Sequence, residues 1–176
     1  GLSNSSFSQR GKDGVGNVSA ANTQVNTYAT VTATGANTIT VSNIATLTGG
    51  IWTSTAIAAG DLIMIIQMQG ASMDIDVTPT ATWGGNYTVP GAYLSTLNWN
   101  QYPQEWGKIT AYNNAGKFEQ IEVRSVAGNV ITLQCNLQNT YTVAGHVQVV
   151  RIPRYSSLTL TGTASIVPLA WDGNIG

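Results

Sequence analysis

A single histidine, His146, and a single cysteine, Cys135, bound the covalent and metal chemistry open to this 176-residue chain. No Gly-x-Ser-x-Gly nucleophile elbow accompanies His146. It opens a strand-like segment at the place where a related earlier segment carries Asp61, so a turn or strand-edge role is expected of it. One His and one Cys also fall short of the usual zinc ligand sets. Cys135 follows the alternating run Val130 to Gln134 and reads as a buried or half-buried structural thiol. Glu119 and Glu122, three apart on a strand, project to opposite faces and do not form a glycosidase acid and base. Asp74 and Asp76 flank Ile75 on one side of an extended segment, a spacing that calcium sites use, but no third acidic residue adjoins them and a solvated loop edge is the plainer reading. Gly11, Gly14 and Gly16 lack the Gly-Lys-Ser/Thr of a phosphate loop. No hydrolytic or transferase activity and no cofactor is therefore expected.

Aromatic side chains offer a different chemistry. The stretch from Ala71 to Trp106 holds Trp83, Tyr87, Tyr93, Trp99, Tyr102 and Trp106, which include three of the five tryptophans. Trp and Tyr rings present apolar faces to sugars or anchor protein interfaces while their polar tips make hydrogen bonds. Trp83, Tyr87, Trp99, Tyr102 and Trp106 are accordingly the candidate ligand-binding residues. The competing reading is a satellite core, because a long insertion must bury something to become ordered.

The composition says what must position these residues. Charged residues are 9% of the chain, against about 25% in ordinary proteins, and the net charge is −1. There is no basic footprint for nucleic acid and no polybasic face for a membrane. The longest apolar run, Leu62 to Ile66, is far short of a helical span. Thr (23), Asn (15) and Ser (13) replace the charges. Thr with abundant Val favours strands, Asn with Gly supplies turns, and the fold class expected is all-β. Sequons at Asn4, Asn17 and Asn86 are no more than chance supplies in so Asn- and Thr-rich a chain.

Residues 1–24 show no sustained period and read as a mobile or extended N-terminal arm. From Val25, Thr30 to Ala33 and Ile39 to Ser42 form a hairpin about Gly35-Ala36-Asn37. A loop runs from Leu47 to Gly60. Asp61 to Met68, apolar on both faces, reads as a central strand covered on both sides, with Leu62, Met64 and Ile66 in the core. The pattern then recurs. Glu122 to Ser125, the turn Ala127-Gly128-Asn129 and Ile131 to Leu133 answer the first hairpin at an offset of 92, and Ala144 to Val150 answers Ala59 to Ile65 at an offset of 85. Two hairpin-plus-strand copies, each too small to bury its own face, are expected to pack about a pseudo-twofold axis as a small barrel or sandwich over residues 25–155. The aromatic-rich stretch 71–106 is inserted between them. Residues 156–176, with short strands about Gly162, read as the first part of a following β-structure.

Four strings carry a resemblance: Gly60-Asp61-Leu62-Ile63-Met64-Ile65-Ile66-Gln67-Met68-Gln69-Gly70-Ala71, the segment Gly107 to Glu119, the segment Val147 to Leu158, and Ala170-Trp171-Asp172-Gly173. Over roughly residues 25–176 the chain resembles the amino-terminal region of very large, repetitive cell-surface proteins of the Bacteroidota, the group that includes gliding-motility adhesins exported by type IX secretion. The stretch between Gly70-Ala71 and Gly107-Lys108-Ile109-Thr110 is longer here than in that pattern. The resemblance implies an extracellular, cell-surface, non-enzymatic structural or adhesive module, with other segments of a large surface protein, neighbouring subunits or surface glycans as partners. Two alternatives remain open: a carbohydrate-binding module of a secreted polysaccharide-degrading enzyme, with Trp83 and Trp99 as the stacking platform, and a filament subunit whose arm before Val25 adds a strand to a neighbouring copy.

Overall fold

The computed structural model describes residues 11–52, 55–73 and 109–176. Its centre is a closed six-stranded antiparallel barrel. After β1 (Val15–Val18), the chain forms the hairpin β2 (Thr27–Thr34) and β3 (Thr38–Val41), a short 3₁₀ turn at Ile44–Leu47, and β4 (Leu62–Gln67). Two short strands, β5 (Ser72–Met73) and β6 (Ile109–Ala111), bracket the insertion. The second hairpin, β7 (Phe118–Ala127) and β8 (Val130–Leu133), leads to β9 (Val147–Ile152), and β10 (Ser157–Leu160) pairs in parallel with β1. Around the barrel the order is β2-β3-β8-β7-β4-β9. Closure removes the sheet edges that Thr- and Val-rich strands would otherwise expose.

The duplication is visible in the register. Each copy is a hairpin plus one strand, and that strand pairs with the hairpin of the other copy: β4 with β7, and β9 with β2. Neither copy can close a barrel alone. Both hairpins carry the same irregularity, a register shift between Val31 and Ala33 in one and between Val123 and Ser125 in the other, again 92 residues apart. For the third strands the sequence offset of 85 needs correction to 86. That shift maps the pairs Leu62↔Glu122, Ile63↔Ile121, Met64↔Gln120 and Ile65↔Glu119 onto Gln148↔Thr30, Val149↔Ala29, Val150↔Tyr28 and Arg151↔Thr27. The left-handed residue before each strand agrees: Gly60 (φ 83°) matches His146 (φ 54°), whereas aligning Gly60 with Gly145 is out by one.

One residue of shift exchanges inside for outside. Ile63, Ile65 and Gln67 fill the lumen and are fully buried, while Leu62, Met64 and Ile66, expected in the core, lie half-buried on the outer wall. A closed barrel has one interior, so an apolar run on both faces does not require cover on both. Ile39, Val41, Ile131, Leu133, Val147 and Val149 are buried, joined by Ala29, Val31, Ile121 and Val123. The outer wall of β9 is the exception. Residues 168–176 run over it: Leu169 N–H donates to Tyr28 Oη (3.4 Å), and the Gln148 side-chain amide exchanges two 2.9 Å hydrogen bonds with the backbone of Gly176. Gln148 and Val150 are consequently buried although they point outward.

One local expectation also changes, and another gains a partner. Cys135 is exposed, because β8 ends at Leu133 and the alternation that would have turned the thiol inward stops there. The described part of the N-terminal arm, 11–24, is extended, and it holds β1 in a parallel ladder with β10 that resumes as a bridge between Thr23 and Ile166.

Candidate functional site

The barrel has two rims. β4 runs from Leu62, opposite Ile152, to Gln67, opposite Val147, so the first rim holds Asp61 and the end of β9 while the second holds Gln67 and the start of β9.

At the first rim a charged cluster closes the lumen. Arg151 points inward at the position where the other copy carries Ile65, and it is 1% exposed. Its Nη2 donates to Asp61 Oδ2 at 2.7 Å and to Ala56 O at 3.4 Å, and Nη1 donates to Leu47 O (3.1 Å) and Thr55 O (2.9 Å). The guanidinium lies 4.1 Å from the centre of the Trp52 ring, a cation–π stack. Asp61, 3% exposed, also accepts from Ala58 N–H (2.8 Å) and from the Lys12 ammonium. Trp52 Nε1 donates to Asp13 Oδ1 (2.9 Å), and Asp13 Oδ2 accepts from Arg154 N–H (2.6 Å). Arg154 in turn pairs with Glu122 (2.5 Å) and reaches Gly60 O.

Burial lowers the Arg151 pKa, and the nearby Asp61 and Asp13 carboxylates oppose that shift. Burial raises the Tyr155 hydroxyl, with Asp13 adding to it. A cavity of about 530 Å³ opens here, lined by Lys12, Asp13, Trp52, Asp61, Arg151 and Tyr155 among others. All four carboxylate oxygens of Asp13 and Asp61 already accept from donors of the chain. The groups left over are Arg151 Nε and the Tyr155 hydroxyl, both buried without an acceptor among the described residues. The cluster's chemistry is thus ion pairing that seals a barrel end, with two donors to spare. No three His, Cys, Asp or Glu side chains meet among the described residues.

At the second rim Gln67 organises three loops. Its Nε2 donates to Gln69 O (2.8 Å) and Asn113 O (2.9 Å), and its Oε1 accepts from Thr142 N–H (2.7 Å). Gly145 is required beside it, since a Cβ there would sit 2.3 Å from both Gln67 Nε2 and Gln69 O. Asn113 Nδ2 donates to Gly70 O and Ser72 Oγ and so ties the base of the β5–β6 pair, from which the insertion departs, to the rim. Glu119 accepts from Gln138 N–H, Asn139 N–H and Tyr141 Oη–H at 2.9 to 3.0 Å. It faces the lumen side, and Glu122 the outside, as their spacing requires.

The sequence candidates Asp74, Asp76, Trp83, Tyr87, Trp99, Tyr102 and Trp106 lie outside the described residues. His146 is the left-handed residue that ends the short 3₁₀ turn before β9, and its ring meets Trp171 edge-on at 6.2 Å. The first-rim cluster was missed by motif reading because Lys12, Asp13, Trp52, Asp61 and Arg151 are scattered along the chain. One signal was present: Arg151 interrupts an otherwise apolar inward face in a chain with seven Lys plus Arg.

No protein-family model and no curated protein matches the chain. Among solved structures it is similar to the Gp54 tailspike of Acinetobacter baumannii bacteriophage AP22, solved with A. baumannii capsular saccharide (13% identity, 82% of this chain, 16% of that one, TM-score 0.36). It is also similar to tailspike gp49 of Pseudomonas phage LKA1 (17%, 91%, 24%, TM-score 0.36) and tailspike gp61 of Pseudomonas phage phi297 (15%, 84%, 16%, TM-score 0.30). The chain therefore spans between 16% and 24% of the length of these solved chains.

Proposed function

We propose that the chain is a non-enzymatic structural and adhesive module of a large extracellular surface protein, built to carry an aromatic-rich segment at the barrel end opposite the β1–β10 ladder. The observation that carries this reading is the use of opposite rims. β1 and β10 pair beside the first rim, the insertion leaves and re-enters through β5 and β6 at the second, and the segment after β10 returns along the outer wall to that second rim, where Trp171 meets His146 and Gly176 meets Gln148. A barrel without exposed edges is a stiff spacer between the two. The resemblance to Bacteroidota surface adhesins supports the extracellular setting and surface glycans or neighbouring surface proteins as partners. In the filament alternative the N-terminal arm adds its strand to another copy; here β1 is already paired within its own chain.

Because Met73 and Ile109 are paired neighbours, residues 74–108 can be replaced by a short Gly/Ser turn. The shortened protein is expected to keep the barrel's thermal midpoint and to lose attachment to glycan-coated or cell surfaces. Attachment that survives the replacement would remove the aromatic segment from the account. Tight binding of one defined soluble polysaccharide through that segment would instead favour the carbohydrate-binding module.

A further inference from the structure

We infer that the first-rim cavity binds a single uncharged sugar ring, held by Arg151 Nε–H and the Tyr155 hydroxyl. The inference goes beyond the reading above: it places a ligand at the barrel end opposite the insertion and does not depend on residues 74–108. The cavity measures about 530 Å³, within the usual range of small-molecule sites, about 300–1,000 Å³. It lies between β1, which contributes Val15 to Asn17, and the segment that carries Trp52, Thr55 and Ala56. Arg151 and Tyr155 both line it, and each carries a buried donor with no acceptor among the described residues. Buried donors are normally paired, by the chain, by water or by a ligand. The guanidinium is otherwise committed: its Nη groups donate to Leu47 O, Thr55 O, Ala56 O and Asp61 Oδ2, and only Nε–H is left.

The lining selects the ligand. Lys12 and Arg151 balance Asp13 and Asp61 in charge, so neither a cation nor an anion gains net attraction. Burial first, and then the Asp13 carboxylate, hold the Tyr155 hydroxyl in its protonated form. It stays a donor, and an anion placed on it would meet the field of Asp13. Asp61 Oδ1 and both oxygens of Asp13 each take one hydrogen bond, and a carboxylate oxygen has a second lone pair to offer. Spare donors and spare acceptor sites therefore line one cavity. A sugar hydroxyl donates and accepts at once and can use both, whereas an anion uses only the donors. Ile51 and the Tyr155 ring supply apolar contact for the C–H faces of the sugar. Trp52 is 5% exposed and stacked on Arg151, so it fixes the guanidinium and does not itself offer a stacking face.

Both donor atoms are screened from solvent, and β1 supplies the screen over Tyr155. Gly16 lies so close to that ring that a Cβ would stand 2.6 Å from Tyr155 Cε1 and 2.7 Å from Cδ1. β1 pairs with β10 alone among the described strands, and every residue of β10 is exposed. A two-stranded sheet is marginal by itself, so β1 can shift outward at small cost. β1 and Arg151 line the same cavity, which makes that shift the route to Nε–H as well. The guanidinium stays in place meanwhile, held by its four acceptors.

The test follows the Arg151 Nε–H resonance of the full chain in proton–nitrogen correlation spectra. The probes are the methyl glycosides of glucose, galactose, mannose, N-acetylglucosamine and N-acetylgalactosamine, with sodium acetate as the anionic control. At least one glycoside is expected to shift the resonance saturably, and acetate to leave it unmoved. Tyr155→Phe removes a hydroxyl that has no partner among the described residues. It is expected to keep the thermal midpoint and to weaken the glycoside about two- to tenfold, the worth of one uncharged hydrogen bond. A shift with acetate and with no glycoside would overturn the inference in favour of an anion site. Glycoside affinity unchanged by Tyr155→Phe would overturn it too, as would a resonance that no glycoside moves together with ordered water on both donors in a crystal structure. Binding through residues 74–108 would leave Arg151 Nε–H where it is, so the two readings fail separately.

Discussion

Arg151 and Asp61 show how a barrel end can be sealed by charge. Each is buried, and each has its partner within hydrogen-bond distance, so removing one strands the other. Asp61→Ala is expected to cost about 3–5 kcal/mol, the range for breaking a buried pair, while Arg151→Met combined with Asp61→Leu should cost less than the sum of the single changes. Urea unfolding of the three variants checks this, and strict additivity would mean that the pair is not coupled. Gln67 is the uncharged counterpart at the other rim. Gln67→Leu leaves Gln69 O, Asn113 O and Thr142 N–H without their partner, and because these groups belong to exposed residues that water can reach, a loss of about 0.5–1.5 kcal/mol per hydrogen bond is expected.

Glu119 makes stability depend on pH. Burial acts to raise its carboxyl, but donations from Gln138, Asn139 and Tyr141 outweigh it and hold the pKa below the ordinary value. Its contribution is therefore complete above the unfolded carboxylate range, about pH 4.3, and is lost as pH falls through the lowered folded value. Midpoints measured across that range should fall more steeply for the native chain than for Glu119→Gln. Parallel acid limbs would refute the assignment.

Among the elements, β4 decides between inner and outer faces. Ile65→Ala should cost about 2–5 kcal/mol, as large-to-small changes in a packed interior do, and Met64→Ala on the outer wall less than half as much. Equal losses would mean that the outer wall is covered after all. This is also where the sequence was least legible. The hairpins could be read because Thr30 to Ala33 and Ile131 to Leu133 alternate, and the duplication because both copies keep the alternation around a short turn. Leu62-Ile63-Met64-Ile65-Ile66 is apolar at every position, so periodicity could not choose its inner face. Gly60 and Gly145 then invited an alignment one residue out, since the left-handed position is filled by Gly in one copy and by His in the other. β1 was missed for a different reason: its partner β10 lies at the far end of the chain, and nothing within residues 11–24 announces it. The first-rim cluster assembles only when those two ends meet, and the aromatic candidates lie outside the described residues.

For the whole molecule, the tail over β9 is part of the fold's stability. Removing residues 168–176 uncovers Gln148, Val150 and Tyr28, and the thermal midpoint is expected to drop by a few degrees, with the amides of β2 and β9 exchanging faster. An unchanged midpoint would make the tail a passenger. The pairing of β2 with β9 has a consequence in time. A chain made from its N-terminus cannot close the barrel until β9 has emerged, and at about 5–20 residues per second β2 waits several seconds for its neighbour. The β1 strand waits longer still, for Ser157. Through that interval the edges of β2 and β4 stand open, and such edges recruit other chains. Chains stopped before Val147 should therefore aggregate, whereas chains stopped just after Ile152 should already be monomeric.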